Sequence, residues 1–190
     1  MNGNFNTYID HIEPEFWREL CVSHGKLCHY NRGEEFLHIG EAGKYIGMVK
    51  NGTLKYVTYS STGTEHVVGL IFPNEFVVDW PFVLYEQPSR VAIIASSQCT
   101  IYCLPVEVVR KMMKEDPEFM ERMMHCTEAV FSTVYDRYID LYRKTPQQRY
   151  AELVEKHPDL FSHFSLHDIA SFLNITPTHL SRLRKNYGNL

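Results

Sequence analysis

The stretch HDIASFLNITPTHLSRLRK, His167 to Lys185, sets two apolar periodicities on either side of one short polar break. Just upstream, Ser165 can cap a helix running from Leu166 to Leu173, with Asp168 in its first turn facing the positive end of the macrodipole. Ile169, Ala170 and Leu173 make the buried side, and a residue larger than methyl at Ala170 would push the next helix away. Asn174 takes a turn position that favours glycine, because asparagine is the next-best residue for a left-handed backbone. Ile175 drops between the helices, and Thr176-Pro177 caps and opens the second one. Leu180 and Leu183 bury that helix, which leaves Thr178, His179, Ser181, Arg182 and Lys185 facing outward or to the sides. Local physics therefore predicts a helix-turn-helix.

The whole chain of 190 residues carries a net charge of −4, which gives no global sign of nucleic-acid binding. Its distribution is more informative. Residues 176–190 contain Arg182, Arg184 and Lys185 and no acid, so positive charge collects on the second helix, where phosphates would lie. The alternative for this segment is a helical hairpin packed on the rest of the protein with merely solvated charges.

Upstream of the motif, Thr145-Pro146-Gln147-Gln148 has the signature of a capping box that opens a helix ending near His157-Pro158. Before it, Asp116-Pro117 starts a run to about Lys144 in which Phe119, Met123, Cys126, Val130, Val134 and Leu141 recur at helical spacing. That helix would be about 40 Å long, too long to bury itself on one small β-domain. The stripe is expected to pack against its copy in a second subunit. A shorter helix is expected over VEVVRKMMK, and another from about Thr7 to His24 with Gly25 as a left-handed stop.

Between Leu27 and Leu104 the period changes to short runs rich in Val, Ile, Tyr and Thr, the pattern of a compact antiparallel β-domain. Asn51-Gly52 predicts a two-residue hairpin joining YIGMVK to TLKYVTY. A second pair of strands, VAIIA and TIYCL, flanks Ser96-Ser97-Gln98.

Taken in order, the N-terminal helix, the stretch GEEFLHIGEAGKYIGMVKNGTLKYV, the long helix, TPQQRYAELVEKHPDL and IASFLNITPTHLSRLRK resemble the Crp-Fnr transcription regulators over nearly the whole chain. The resemblance implies an α+β fold: a double-stranded β-helix or jelly roll like a cyclic-nucleotide-binding domain, a long dimerisation helix, and a C-terminal helix-turn-helix. Only Gly188, Asn189 and Leu190 follow the second helix, so no wing is expected. The parts would be a β-roll sensor at 1–115, the dimerisation helix at 116–144 and the DNA-binding unit at 145–190.

The resemblance further implies a cytoplasmic homodimer bound to double-stranded DNA at a palindromic site, with a small-molecule effector and RNA polymerase as further partners and no membrane. Carried over by position, Thr178 and Arg182, with Ser181, fall at base-reading places, while Thr176, His179 and Lys185 fall nearer phosphates. The alternative reading is a ligand-binding sensor whose C-terminal hairpin contacts a protein partner.

In cyclic-nucleotide-binding relatives a Gly-Glu pair holds the ribose and a later arginine neutralises the phosphate. Here the pair reads Asn74-Glu75 and the later segment Pro88-Ser89-Arg90-Val91. Ser89 stands at the arginine position, and Arg90, one step on, would point out of the pocket. Glu75, Ser89 and Arg90 remain the effector candidates, but a cyclic nucleotide is disfavoured.

Five cysteines form an odd set with no zinc-ribbon or secreted-disulfide spacing, which fits a reducing compartment. Cys21, His24, Cys28 and His29 lie close in sequence but lack a chelating loop, and neither metal nor haem is expected. Phe76, Trp80, Pro81, Phe82 and Tyr85 can line an apolar cleft or fill a core. No catalytic triad, phosphate-binding loop or zinc-protease motif can be assembled, so no enzyme activity is expected.

Overall fold

In a computed structural model, which describes residues 13–187, the short apolar runs build two four-stranded antiparallel sheets. The strands are β1 (Lys26–Tyr30), β2 (Glu35–Leu37), β3 (Tyr45–Asn51), β4 (Leu54–Tyr59), β5 (Glu65–Ile71), β6 (Phe76–Val77), β7 (Ala92–Ala95) and β8 (Cys99–Pro105). One sheet has the order β1-β8-β3-β6 and the other β2-β7-β4-β5. Side chains alternate across the strands, so Cys99, Ile101 and Cys103 of β8 enter the core between the sheets while Leu104 faces the helices. Val49, Leu54, Ile71, Val77 and Ile93 complete that core.

The predicted pairing of YIGMVK with TLKYVTY is wrong. β3 pairs with β8 and β6, whereas β4 pairs with β5 and β7, so the chain passes from one sheet to the other at Asn51-Gly52. The same holds for VAIIA and TIYCL, which lie in opposite sheets as β7 and β8. These two corners meet: the Thr53 carbonyl accepts from Ser96 N at 2.8 Å, and Thr53 N donates to Ser97 Oγ at 3.0 Å. Gly52 has φ +86°, and a Cβ there would sit 2.3 Å from the Gln98 carbonyl. Glycine is required, but by the crossing of two corners and not by a hairpin. The hairpin that does form joins β4 to β5 through Ser60–Thr64.

Helix α1 (Pro14–His24) packs Trp17, Leu20 and Cys21 against the outer face of the first sheet. The part of the expected helix before residue 13 lies outside the described residues. Gly25 does not adopt the expected left-handed stop: its φ is −88° and ψ 167°. What demands glycine is space, since a Cβ would lie 2.3 Å from the Cys21 carbonyl and 3.1 Å from that of Cys103. A 3₁₀ turn at Phe82–Tyr85, absent from the sequence reading, lies in the loop between β6 and β7.

After β8 come α2 (Val106–Glu115) and α3 (Pro117–Arg143), the latter capped by the Asp116 carboxylate on the amides of Glu118 and Phe119. The expected stripe of α3 divides in two. Phe119, Met123 and Cys126 are buried in this chain's own core beside Trp17 and Leu104, so they cannot face a second subunit. A different row is exposed. Met124, Phe131 and Tyr138 recur every seven residues, with exposed Met120 and Val134 beside them, giving the start of a heptad seam, while Thr127 and Leu141 at the same spacing are half-buried against this chain. Phe131 is 69% exposed, Tyr138 55% and Met124 60%.

The last helices are α4 (Pro146–Lys156), α5 (Leu160–His163), α6 (Leu166–Phe172) and α7 (Pro177–Tyr187). The capping box at Thr145 and Gln148 is present in both directions. Buried Arg149 ties this unit to what precedes it, donating to the Lys144 carbonyl at 2.7 Å and the Leu173 carbonyl at 3.1 Å. The four helices share one apolar cluster with Val67, Leu70 and Phe72, which brings them onto β5, the outermost strand of its sheet.

Candidate functional site

The corner read first in the sequence is built as the local chemistry dictates. Ser165 Oγ accepts from the Asp168 amide at 3.1 Å, and Thr176 Oγ1 accepts from the His179 amide at 3.2 Å. Asn174 has φ 55°, so the left-handed turn is made by asparagine. Ile169, Ala170, Leu173 and Leu180 are fully buried, and Ile175 and Leu183 pack partly against them.

This burial fixes which face of α7 is free. Thr176, Thr178, His179, Ser181, Arg182 and Lys185 are all exposed, on a helix about 16 Å long. Arg184, which the sequence reading did not single out for a role, lies 4.3 Å over the Phe161 ring of α5. Its charge is thereby held against the hairpin's flank. Residues 188–190, on which the absence of a wing depends, lie outside the described residues.

Docking of the hairpin on the β-roll uses partners far apart in sequence. Lys55 Nζ of β4 bridges Glu65 Oε1 at 2.8 Å and Asp168 Oδ1 at 2.7 Å. Burial opposes the charge of Asp168, but hydrogen bonds from Lys55 and Ser165 prevail and hold its carboxyl below the usual range. Ser171 Oγ accepts from the Val67 amide at 2.9 Å. Arg137 of α3 donates to the Val68 carbonyl and lies 4.1 Å over the Phe172 ring. Beside them the His157 imidazole stacks on Phe72 with centroids 3.7 Å apart and 4° between planes. Burial pushes this imidazole down to about 4.

A second feature lies inside the roll. A half-open cavity of about 220 Å³ is bordered by β4, β5 and β6, the following loop, and α3. Tyr56, Val68, Phe76, Val78, Trp80, Val130 and Val134 give it apolar and aromatic walls, and Glu75 and Asp79 are its acids. Glu75 Oε2 accepts from the Phe72 amide at 2.9 Å, yet burial pushes its carboxyl up to about 7. Asp79 is also raised by burial, partly offset by the Ser89 hydroxyl and the charge of Arg90.

Of the three sequence candidates for the effector, only Glu75 lines this cavity. Ser89 is buried beside it, with Oγ donating to the Val91 carbonyl at 2.8 Å, and Arg90 is exposed over the Phe82 ring. Asn74 keeps the left-handed backbone of a glycine, with φ 69°. Phe76 and Trp80 belong to the cavity, Pro81 and Phe82 do not, and Tyr85 borders a separate groove with Met120, Met124 and Phe131. Asp79 was missed because its side chain reaches the cavity through loop geometry that no spacing encodes.

Cys21, Cys99, Cys103 and Cys126 are buried and Cys28 partly so, all as free thiols; burial pushes Cys21 up to about 12 and Cys126 to about 11. Among the described residues no group of three or more His, Cys, Asp or Glu side chains is placed to hold a metal, and no helix is long and apolar enough to cross a membrane.

Residues 27–116, which hold the two sheets and α2, match the cyclic nucleotide-binding domain family. This segment is similar to a cyclic nucleotide-binding domain. No curated protein matches the chain's sequence significantly. Among solved structures, FixK2 from Bradyrhizobium japonicum is similar at 18% identity and TM-score 0.75, covering 87% of this chain and 85% of its own. A protein provisionally described as a cAMP-binding regulator from Silicibacter pomeroyi has 23% identity and TM-score 0.71, covering 97% and 85%. A transcriptional regulator assigned to the crp/fnr family of Eubacterium rectale has 15% identity and TM-score 0.64, covering 95% and 87%. The likeness spans the roll and the helices after it, so the chain has the Crp-Fnr fold.

Proposed function

We propose that the protein is a cytoplasmic transcription regulator that binds double-stranded DNA as a homodimer, with a sensor at 1–115, a dimerisation helix at 116–144 and a DNA-binding unit at 145–190. The observation that carries this reading is the division of α7: Leu180 is buried and Leu183 partly so, while Thr178, His179, Ser181, Arg182 and Lys185 are exposed, on a helix that carries three cations and no acid. Such a face suits a major groove, with Arg182 gripping a guanine edge and Thr176, His179 and Lys185 near phosphates. The exposed heptad row on α3 supplies the surface for a parallel pair, and two recognition helices about 34 Å apart would read a palindrome.

The test is salt dependence. With two to four cations of the pair on phosphates, Lys185 first among them, log K should fall against log salt with a slope between about −2 and −3.5. Arg182→Ala should weaken binding to the selected operator by about 1–3 kcal/mol and binding to random duplex far less. A flat salt response, or no retention on duplex DNA, would move the exposed face to a protein partner.

A further inference from the structure

The cavity inside the roll has the wrong polarity for a phosphate. Glu75 and Asp79 line it, and no lysine or arginine does. Arg90 and Lys156 act on these carboxyls only from beyond the walls. Asp79 Oδ2 is buried without a hydrogen-bond partner among the described residues, and the Ser89 hydroxyl, which offsets part of the burial effect on this carboxyl, donates to the Val91 carbonyl. An unmet buried acceptor costs about 1–3 kcal/mol, and this one belongs to a cavity wall. Tyr56, Phe76 and Trp80 add rings, whose faces attract cations as well as apolar groups.

We propose that this cavity binds a small apolar molecule with a cationic, hydrogen-bond-donating head, of the arylalkylamine class, and rejects cyclic nucleotides. The head satisfies Asp79 Oδ2 and pairs with Glu75, while the body lies against the valine and aromatic walls. A cavity of about 220 Å³ limits the occupant to on the order of ten non-hydrogen atoms. Cyclic phosphate in the same space would meet two carboxyls and no cation from the walls, a like-charge arrangement in a poorly solvated site.

Such an occupant touches α3 directly through Val130 and Val134, and Val134 also belongs to the exposed heptad row. The inference deepens the proposed function by naming the class of its effector. Its test contains no DNA, so the two can fail separately.

Benzylamine, benzyl alcohol, phenylacetate and cyclic AMP are titrated calorimetrically into the full chain at a pH where the amine is protonated. Benzylamine should bind saturably and at least about tenfold more tightly than the alcohol, a difference of about 1.4 kcal/mol. Phenylacetate and cyclic AMP should not saturate. Asp79→Asn, neutral and of the same shape, should bring the amine down to the alcohol's affinity, and Glu75→Gln should weaken it by a smaller factor. Circular dichroism establishes that both variants are folded. Tighter binding of phenylacetate or cyclic AMP, an amine preference that survives in both variants, or no saturable binding of any probe would overturn the proposal. Amine binding without DNA binding would uphold it and sink the regulator reading instead.

Discussion

Replacing Lys55 by methionine removes the one cation that joins Glu65 of β5 to Asp168 of α6, with side chains only 16% exposed at Lys55 and 15% at Asp168. At 2.7 Å and an effective dielectric of about 20, the gross Coulomb attraction of the Lys55–Asp168 pair is about 6 kcal/mol. Desolvation of both ions and the ordering of the lysine chain cancel most of it, leaving about 2 kcal/mol. Lys55→Met should therefore destabilise the fold, and the double variant with Asp168→Asn should recover part of the loss. Urea unfolding of the four proteins in that cycle should give a coupling energy of about 1.5–2.5 kcal/mol. A local reporter is available in the Val67 amide, which donates to Ser171 Oγ on the docked helix. Its hydrogen exchange should accelerate about 30-fold if docking weakens by about 2 kcal/mol. A coupling energy under about 0.5 kcal/mol, with Val67 protection unchanged, would refute the idea that this bridge holds the hairpin to the roll. Because the Asp168 carboxyl is held low, its share of the stability is present above the ordinary aspartate range and is lost as pH falls through its folded value.

His157 and Glu75 oppose each other. The imidazole, depressed to about 4, makes stability fall as pH drops below about 6.5. The carboxyl, raised to about 7, adds stability that is fully present below about 4.3 and is lost as pH climbs to 7. Between about pH 4.5 and 6.5 the wild-type Tm should change little, Glu75→Gln should lose stability toward acid, and His157→Phe should gain it; parallel Tm profiles for all three would contradict the assignment. Gly52→Ala should cost at least about 3 kcal/mol in urea unfolding, since it adds left-handed strain to a 2.3 Å approach to the Gln98 carbonyl; a loss under about 1 kcal/mol would show that the corner relaxes. Phe131→Glu on the exposed heptad row should give a folded monomer by light scattering, and a persistent dimer would place the subunit contact elsewhere.

Local chemistry made the helices and the C-terminal corner legible, because caps and turn residues act over three or four positions. Thr145, Ser165, Asn174 and Thr176 all do in the structure what their types favour. Strand partners were not legible, since Asn51-Gly52 and Ser96-Ser97-Gln98 show where the chain bends but not that each bend crosses between sheets. On α3 the three-and-four spacing fits two interleaved rows, and only the position of Trp17 and Leu104 shows that Met123 and Cys126 face inward. The 3₁₀ turn at Phe82–Tyr85 and α5 are too short to carry a period of their own. Within the candidate sites, the exposed face of α7 was readable from its apolar spacing. Lys55 and Asp168, 113 positions apart, and the unpaired oxygen of Asp79 arise only from tertiary packing.

The seating of α6 on β5 bears on solubility. β5 ends its sheet, and a bare terminal strand is a template for intermolecular strand addition. Ser171 of α6 occupies the Val67 amide and Arg137 of α3 the Val68 carbonyl, so the hairpin, together with α3, shields this margin from self-association. Any motion that frees the C-terminal helices removes that shield, which favours brief excursions over a long-lived open form. A chain cut after α3 should accordingly be prone to aggregate through β5.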